Sequence, residues 1–135
     1  MRDIKYIVVH CTATQPETEK KAILDYWKNN LCWKNVGYHY LIDRFGVIHE
    51  LARLDQITNG VKGFNSQSVH VSYIGGIDRQ GKPKDTRTPN QKYALEVILS
   101  DLKNKFPNAI IQGHRDFGVN KACPSFDAKT EYKNI

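Results

Sequence analysis

Residues 4–10, Ile4-Lys5-Tyr6-Ile7-Val8-Val9-His10, and residues 109–114, Ala109-Ile110-Ile111-Gln112-Gly113-His114, are two short apolar runs that each close on a histidine. Both runs are short and mainly apolar, which is the pattern of a buried strand. The end of a strand is a place where a rigid scaffold presents side chains to a cleft. We therefore predict core strands over residues 4–9 and 109–112, with His10 and His114 at or just past their ends, facing a cleft.

Helices and strands mix irregularly in the segment between these two runs. We predict a helix over residues 17–30, a hairpin of strands 37–43 and 47–50, a loop over 58–68, a strand over 68–74 and a surface excursion over 78–89. A hairpin in mid-chain is unlike the regular repeat of a doubly wound parallel sheet. The pattern indicates a mixed α/β (α+β) fold around one sheet, in a single domain covering residues 1–135.

A second helix is indicated by the residues at its start. Thr88 is a capping residue, Pro89 suits the first helical position, and Gln91 stands three residues after the cap, as in a capping box. Pro107 and Asn108 end the helix. The apolar positions that we expect to face the core are Tyr93, Ala94, Val97, Ile98, Leu99 and Leu102.

Composition limits the classes of partner and compartment. The formal net charge of +6 over 135 residues favours a polyanionic partner such as nucleic acid, an acidic membrane surface or a bacterial cell wall, without choosing among them. No apolar stretch approaches the roughly 20 residues that span a bilayer, and residues 1–10 lack the pattern of a secretory signal. We expect a product that is cytoplasmic as synthesised and does not insert into membranes.

Three cysteines at wide spacings are not a disulfide framework, and they fit a reducing compartment. Cys11 and Cys32 are predicted to be small buried side chains. Cys123 is a candidate metal ligand together with His10 and His114, because catalytic zinc uses three protein ligands and keeps a fourth position open for water. The same ligand set accepts other divalent ions. With five histidines and three cysteines, such trios also arise by composition alone.

Several motifs, in this order along residues 4–127, resemble those of a known family. They are Val8-Val9-His10-Cys11-Thr12-Ala13-Thr14, Val36-Gly37-Tyr38-His39-Tyr40, Tyr73-Ile74-Gly75-Gly76-Ile77-Asp78, Gly113-His114-Arg115-Asp116 and Lys121-Ala122-Cys123-Pro124-Ser125-Phe126-Asp127. The chain resembles the zinc-dependent N-acetylmuramoyl-L-alanine amidases of the phage lysozyme type, relatives of the peptidoglycan recognition proteins. The resemblance implies a central mixed sheet flanked by about three helices, with a zinc site in a cleft at strand ends.

The resemblance also implies roles for individual residues. One zinc ion per chain would be held by His10, His114 and Cys123, and Tyr38 and Lys121 would be catalytic. Zinc would activate water and polarise the scissile carbonyl, while the phenol and the ammonium would donate to the developing oxyanion. Taken alone, a tyrosine in a strand is typical of packing, and a lysine such as Lys121 is typical of a solvated surface.

Two further residues have alternative interpretations. Thr12 either binds substrate or hydrogen-bonds a loop, and Asp116 either orients a ligand histidine or forms an ion pair with Arg115. His39 is interpreted as structural or as a support for the site. His49 and His70 lie in strand-like runs and are interpreted as core or surface residues rather than ligands.

The chain departs from parts of the family pattern. Relatives that recycle wall fragments inside the cell have a glutamate where Ser72 stands and an aspartate in place of Cys123, so this chain resembles the lytic, phage-type branch more. Many relatives have a histidine where Asn59-Gly60-Val61 stands and a glycine where His70 stands. Substrate contacts near that loop are therefore expected to differ.

The leading hypothesis is an endolysin-like enzyme of a prophage or mobile element. It would cut the amide between N-acetylmuramic acid and L-alanine in peptidoglycan or its fragments, and would act on the cell wall after release or export. The alternative is a non-catalytic peptidoglycan-binding module, a class that typically lacks the cysteine ligand, whereas Cys123 is present. The only feature that suggests nucleic-acid binding is the positive net charge, and no sequence motif supports it. We therefore expect no nucleic-acid partner. We also expect a monomer.

Overall fold

Five strands form one sheet in the computed structural model, which describes residues 2–135. They are β1 (Tyr6–Cys11), β2 (Tyr40–Ile42), β3 (Ile48–Glu50), β4 (Ser68–Tyr73) and β5 (Ile110–Gly113). Their order in the sheet is β3-β2-β4-β1-β5. Strands β2, β4, β1 and β5 are parallel, and β3 pairs antiparallel with β2 as the predicted hairpin. The mixed sheet confirms the predicted mixed α/β architecture.

Three α-helices accompany the sheet: α1 (Lys20–Asp25), α2 (Pro89–Lys105) and α3 (Ala128–Glu131). Helix α1 continues as a π-helical turn, Tyr26–Asn30. The helical segment starts three residues later than predicted, because a backbone hydrogen bond from Thr18 to Gln15 closes a turn before it. Within residues 2–135, none of the helices has the length and apolar composition needed to cross a membrane.

Strand β1 is shifted two residues toward the C-terminus relative to the predicted residues 4–9. It begins at Tyr6 and ends at Cys11, so His10 lies inside the strand rather than beyond it. The cause is the neighbouring strand β4, which pairs His10 with Ser72 and Cys11 with Tyr73. Pairing with β4 therefore fixes the backbone of His10 and of the residues before and after it.

Helix α2 begins with the predicted capping box, in which the Thr88 side chain accepts from the Gln91 N–H and the Gln91 side chain accepts from the Thr88 N–H. The prediction that Tyr93 and Val97 face the core is wrong, because these side chains are 70% and 41% exposed. The sheet covers only one side of the helix. The residues on that side are Gln91, Ala94, Leu95, Ile98, Leu99 and Leu102.

The two faces of the sheet have different partners. Ile7, Val9 and Cys11 of β1 point into the main apolar core, which includes α2 and α3. Side chains alternate along a strand, so His10 points to the opposite face. A smaller apolar cluster that includes Trp27 and Leu41 lies there. The His10 ring is thus separated from the main core by the sheet itself.

Of the two cysteines predicted to be buried, only Cys11 is. Cys32 is exposed, so that prediction is wrong. It follows the π-helical turn and has a positive φ of 54°. Its neighbours Leu31 and Trp33 are exposed as well, so the thiol lies on a segment that faces solvent.

Candidate metal centre

His10 and His114 meet because β1 and β5 are parallel neighbours in register. Val9 pairs with Gly113, so the residues that follow them emerge side by side at the same edge of the sheet. The ring centroids of His10 and His114 lie 4.9 Å apart. Two histidines far apart in sequence therefore face one position.

Cys123 completes the cluster from the loop that follows β5. Its Sγ atom lies 3.8 Å from Nδ1 of His10 and 3.2 Å from the backbone nitrogen of Cys11, which donates to it. The backbone N–H of Arg115 donates to the Cys123 carbonyl at 2.9 Å and ties the loop to the turn that carries His114. One donor atom from each of His10, His114 and Cys123 lies within 4.8 Å of the other two.

The chemistry of this donor set fits zinc, which binds imidazole nitrogen and thiolate sulfur. Burial lowers the pKa of His10 well below its usual range. Burial, together with the charge of Lys121, lowers the pKa of His114 to about 4. Both rings are therefore neutral at pH 7, the form that offers a lone pair to a metal.

The thiol of Cys123 needs a cation to ionise in this position. The neighbouring Cys11 thiol and burial raise its pKa well above the usual range. A bound divalent cation reverses this preference, because a coordinating thiol loses its proton. The environment of Cys123 is thus suited to metal binding and not to a free thiolate.

A groove of about 530 Å³ opens over the three donor atoms. Trp27, Trp33 and Tyr38 form much of its apolar lining, and Lys62 and Lys121 lie along it. A second depression of about 610 Å³ has no histidine or cysteine among the described residues that line it. The groove over the cluster is therefore the candidate substrate site.

Tyr38 lies against the cluster, as its predicted role requires. Its ring centroid is 4.9 Å from that of His10 and 5.3 Å from that of Trp27, so two aromatic contacts fix the ring. Its hydroxyl donates to the Cys11 carbonyl over a long 3.4 Å. Burial and the nearby thiols of Cys123 and Cys11 raise the pKa of Tyr38, which keeps the phenol protonated and able to donate.

Lys121 is exposed at the rim of the same groove. Among residues 2–135, no carboxylate lies within ion-pair distance of its ammonium group. Its positive charge contributes to the lowered pKa values of both His10 and His114, which places it near the two rings. The ammonium is thus available to a negative charge in the groove.

The side chains of Thr12 and Asp116 each accept a hydrogen bond from a backbone N–H group. The Thr12 hydroxyl accepts from the Gly75 N–H at 3.0 Å and lies 2.7 Å from the Thr14 hydroxyl, so it joins the end of β1 to the loop after β4. Asp116 accepts from the Gly113 N–H at 2.8 Å. Within residues 2–135, Asp116 contacts neither the His114 ring nor the Arg115 side chain by a hydrogen bond. Its hydrogen bond closes the turn that carries His114.

His70 is a site residue that sequence reasoning missed. It is fully buried in β4, and its Nδ1 atom lies 2.8 Å from Nε2 of His10. A histidine inside an apolar strand is typical of a packing residue, so the strand pattern alone does not predict a site residue at this position. A signal was present, because Val69, Val71 and Tyr73 alternate with it and leave His70 on the face opposite the core.

Comparison with known proteins identifies the family. Residues 1–126 match the family model described as N-acetylmuramoyl-L-alanine amidase. The endolysin of Enterobacteria phage K11 is 40% identical over 120 residues, which cover 88% of this chain and 79% of that protein. The endolysin of Escherichia phage T7 is 37% identical over 126 residues, which cover 91% of this chain and 82% of that protein.

Solved structures show the same fold. The Ph2119 endolysin from a bacteriophage of Thermus scotoductus has a TM-score of 0.79 and 27% identity, covering 92% of this chain and 79% of that one. The N-acetylmuramoyl-L-alanine amidase LysC of Clostridium intestinale has a TM-score of 0.78 and 23% identity. The match covers 97% of this chain and 83% of that one. These matches confirm the resemblance indicated by the motifs. The chain therefore belongs to the N-acetylmuramoyl-L-alanine amidase family.

Proposed function

We propose that this chain is an endolysin-like N-acetylmuramoyl-L-alanine amidase that works with one zinc ion held by His10, His114 and Cys123. Its substrate is the amide bond between N-acetylmuramic acid and the L-alanine of the peptidoglycan stem peptide. The observation that carries the proposal is the convergence of two neutral imidazoles and one thiol within 4.8 Å, at the floor of an open groove. The similar phage proteins are endolysins, which agrees with this activity.

The chemistry requires an activated water and a stabilised oxyanion. When bound, a zinc ion supplies a Lewis acid that lowers the pKa of water and polarises the carbonyl. His10 and His114 offer neutral nitrogens, and the Cys123 thiolate makes the site less positive than three histidines would. An additional cation is therefore useful in this site, and Lys121 supplies it from the rim.

In the proposed reaction, Tyr38 and Lys121 stabilise the negative charge that develops on the former carbonyl oxygen. The Tyr38 phenol remains protonated and donates a hydrogen bond from the ring held against His10. The Lys121 ammonium donates from the exposed side of the groove. Each such donor typically contributes about 100-fold to 1000-fold in rate.

A non-catalytic peptidoglycan-binding module is the second candidate. The fold supports it, because the bumblebee recognition protein PGRP-SA has a TM-score of 0.80 to this chain at 19% identity. The complete donor set, Cys123 included, favours the enzyme. The two candidates differ in one measurable outcome, which is whether amide bonds in the wall are cut.

The proposal includes a single catalytic domain over residues 1–135 that acts as a monomer. Its net charge of +6 complements an anionic wall surface. We place its action at the cell wall after release or export from the cytoplasm. No role in nucleic-acid binding is proposed.

The function is tested with purified peptidoglycan. We expect free L-alanine amino termini to appear over time, to stop after treatment with a chelator and to reappear when zinc is returned. Binding to the wall without any new amino termini from the zinc-loaded protein would overturn the enzyme proposal and favour a binding module.

A further inference from the structure

We propose that Asn65 and His70 fix the tautomer of His10, so that its Nδ1 atom presents a lone pair to the metal position before any metal binds. The inference rests on the proposed zinc site, to which it assigns two positioning residues. It follows from one chain of hydrogen bonds in which the direction of every donor can be determined. The chain runs from the backbone of Val61 through Asn65 and His70 to His10.

The direction is set at Val61. A backbone N–H can only donate, and the Val61 nitrogen lies 2.7 Å from Oδ1 of Asn65. That atom must therefore be the amide oxygen, because the reversed amide would bring two donors face to face. Val61 is buried, so its N–H cannot hydrogen-bond to bulk water instead.

The same oxygen determines the proton on His70. Oδ1 of Asn65 lies 2.9 Å from Nε2 of His70, and an amide oxygen can only accept. Nε2 of His70 therefore carries a proton. His70 is fully buried and, within residues 2–135, hydrogen-bonds to no carboxylate, so a charged ring would be costly there. A neutral His70 leaves Nδ1 as an acceptor.

The proton on His10 follows in turn. Nδ1 of His70 lies 2.8 Å from Nε2 of His10, so Nε2 of His10 must be the donor. The remaining nitrogen, Nδ1, then has a free lone pair, and it is the atom 3.8 Å from Sγ of Cys123. The opposite tautomer would direct an N–H at the metal position and bring two lone pairs together between the rings.

The position of the His70 ring is itself secured by close packing. The His70 backbone N–H donates to Nδ1 of His39 at 3.0 Å. A Cβ atom at Gly60 would lie only 2.3 Å from Nδ1 of His70. Gly60 has no left-handed backbone conformation that would call for glycine, so the room it leaves for the ring is what explains a glycine there.

The test uses two matched pairs of substitutions. His70→Asn keeps an acceptor at the position of Nδ1, whereas His70→Leu has a similar shape and no acceptor. Asn65→Leu removes the acceptor for both donors, and Ser66→Ala, an exposed substitution at the next residue, is its control. Partners that orient a metal-bound histidine typically contribute about 10-fold to 100-fold in metal affinity.

Two measurements are made on each folded variant. Zinc affinity is measured by competition with a chromophoric chelator, and the protonated nitrogen of His10 is identified in the metal-free protein by long-range ¹H–¹⁵N correlation spectra. We expect His70→Leu to lose 10-fold to 100-fold in zinc affinity and to show mixed His10 tautomers. His70→Asn should remain within about threefold of wild type, with the proton on Nε2.

The inference would be overturned if His70→Leu bound zinc like the wild type with the His10 proton still on Nε2. If His70→Leu does not fold, Asn65→Leu gives the answer, since Asn65 is only partly buried. Mixed His10 tautomers and weaker zinc binding are expected for Asn65→Leu and not for Ser66→Ala, and a wild-type result for Asn65→Leu would overturn the inference. A wild-type protein that binds no zinc would contradict the proposed function instead. The His10 tautomer can still be read in that case, so the two failures are distinguishable.

Discussion

The Sγ atom of Cys123 lies 3.8 Å from Nδ1 of His10, although the two residues are 113 positions apart in the sequence. The contact exists because β1 ends beside the loop that follows β5, so the fold brings a thiol and an imidazole to one point. A ligand set assembled in this way should bind a metal only in the folded protein.

Replacing Cys123 should remove the metal without unfolding the protein. Cys123→Ala leaves two imidazoles, and we expect zinc content to fall well below one per chain and amide cleavage to fall to the assay background. Zinc content by elemental analysis and release of amino termini measure the two effects. Cys32→Ala is the matched control, because Cys32 is exposed and is not among the residues that line the groove. Equal zinc content in the two variants would exclude Cys123 as a ligand.

Tyr38→Phe should separate catalysis from metal binding. The phenylalanine ring keeps the contacts with His10 and Trp27, and only the donor hydroxyl is lost. We expect kcat to fall about 100-fold to 1000-fold, with zinc content unchanged. Tyr40→Phe, two residues along, serves as the control and should keep nearly full activity. A Tyr38→Phe variant with wild-type kcat would remove the phenol from the mechanism.

Lys121→Met should reduce the rate through loss of a charge near the reacting oxygen. The expected fall in kcat is again about 100-fold, and zinc binding should not weaken, because a positive charge beside the two rings is removed. Lys105→Met, an exposed substitution at the end of α2, controls for the change in net charge. If Lys121→Met and Lys105→Met had the same kcat, the charge of Lys121 would have no role in the chemical step.

Gly60→Ala should destabilise the fold through the His70 ring. The added methyl group would meet that ring, and overpacking of this kind costs about 1–3 kcal/mol of the free energy of unfolding. In a His70→Gly background the ring is absent, so the same alanine should cost much less. Urea unfolding of the four proteins gives the coupling directly. Equal costs of Gly60→Ala in both backgrounds would show that the two residues do not compete for space.

Buried histidines should make the metal-free fold sensitive to acid. Burial lowers the pKa of His39 to about 4 and those of His10 and His70 well below their usual range. A histidine in the unfolded chain titrates near pH 6.5. Between these values the unfolded state binds more protons than the native state, so stability is fully present above about pH 6.5 and falls as the pH drops toward 4.

Urea unfolding of the metal-free protein across that range measures the effect. Each histidine contributes a slope of up to about 1.4 kcal/mol per pH unit. His39→Gln lacks one titrating ring and should show a shallower fall. A free energy of unfolding that stays constant between pH values of about 6.5 and 4.5 would contradict neutral buried histidines.

The sequence predicted much of the fold, because its signals were local. The capping residues of α2, the hairpin and the apolar runs of β1 and β5 each depend on a few adjacent residues. The exposed side of α2 was not predictable in this way. Tyr93 and Val97 are apolar, and only the position of the sheet determines that they face solvent.

The sequence motifs predicted the individual residues of the candidate site. They did not predict contacts that depend on which strands pair and in which register. The pairing of Val9 with Gly113 brings His10 and His114 together, and no local pattern specifies that register. His70 was missed for the same reason. Its contact with His10 depends on the neighbouring positions of β1 and β4. The alternation of His70 with Val69, Val71 and Tyr73 indicates which face of the sheet it occupies, but not that it meets His10 there.

A zinc titration of the metal-free protein, with amide cleavage in peptidoglycan as the readout, tests the zinc site and the activity together. We expect the rate to rise in proportion to added zinc and to reach a plateau at one zinc per chain, with no rise for Cys123→Ala. Full activity in the metal-free protein, or an equal rise for Cys123→Ala, would contradict a zinc site made by His10, His114 and Cys123.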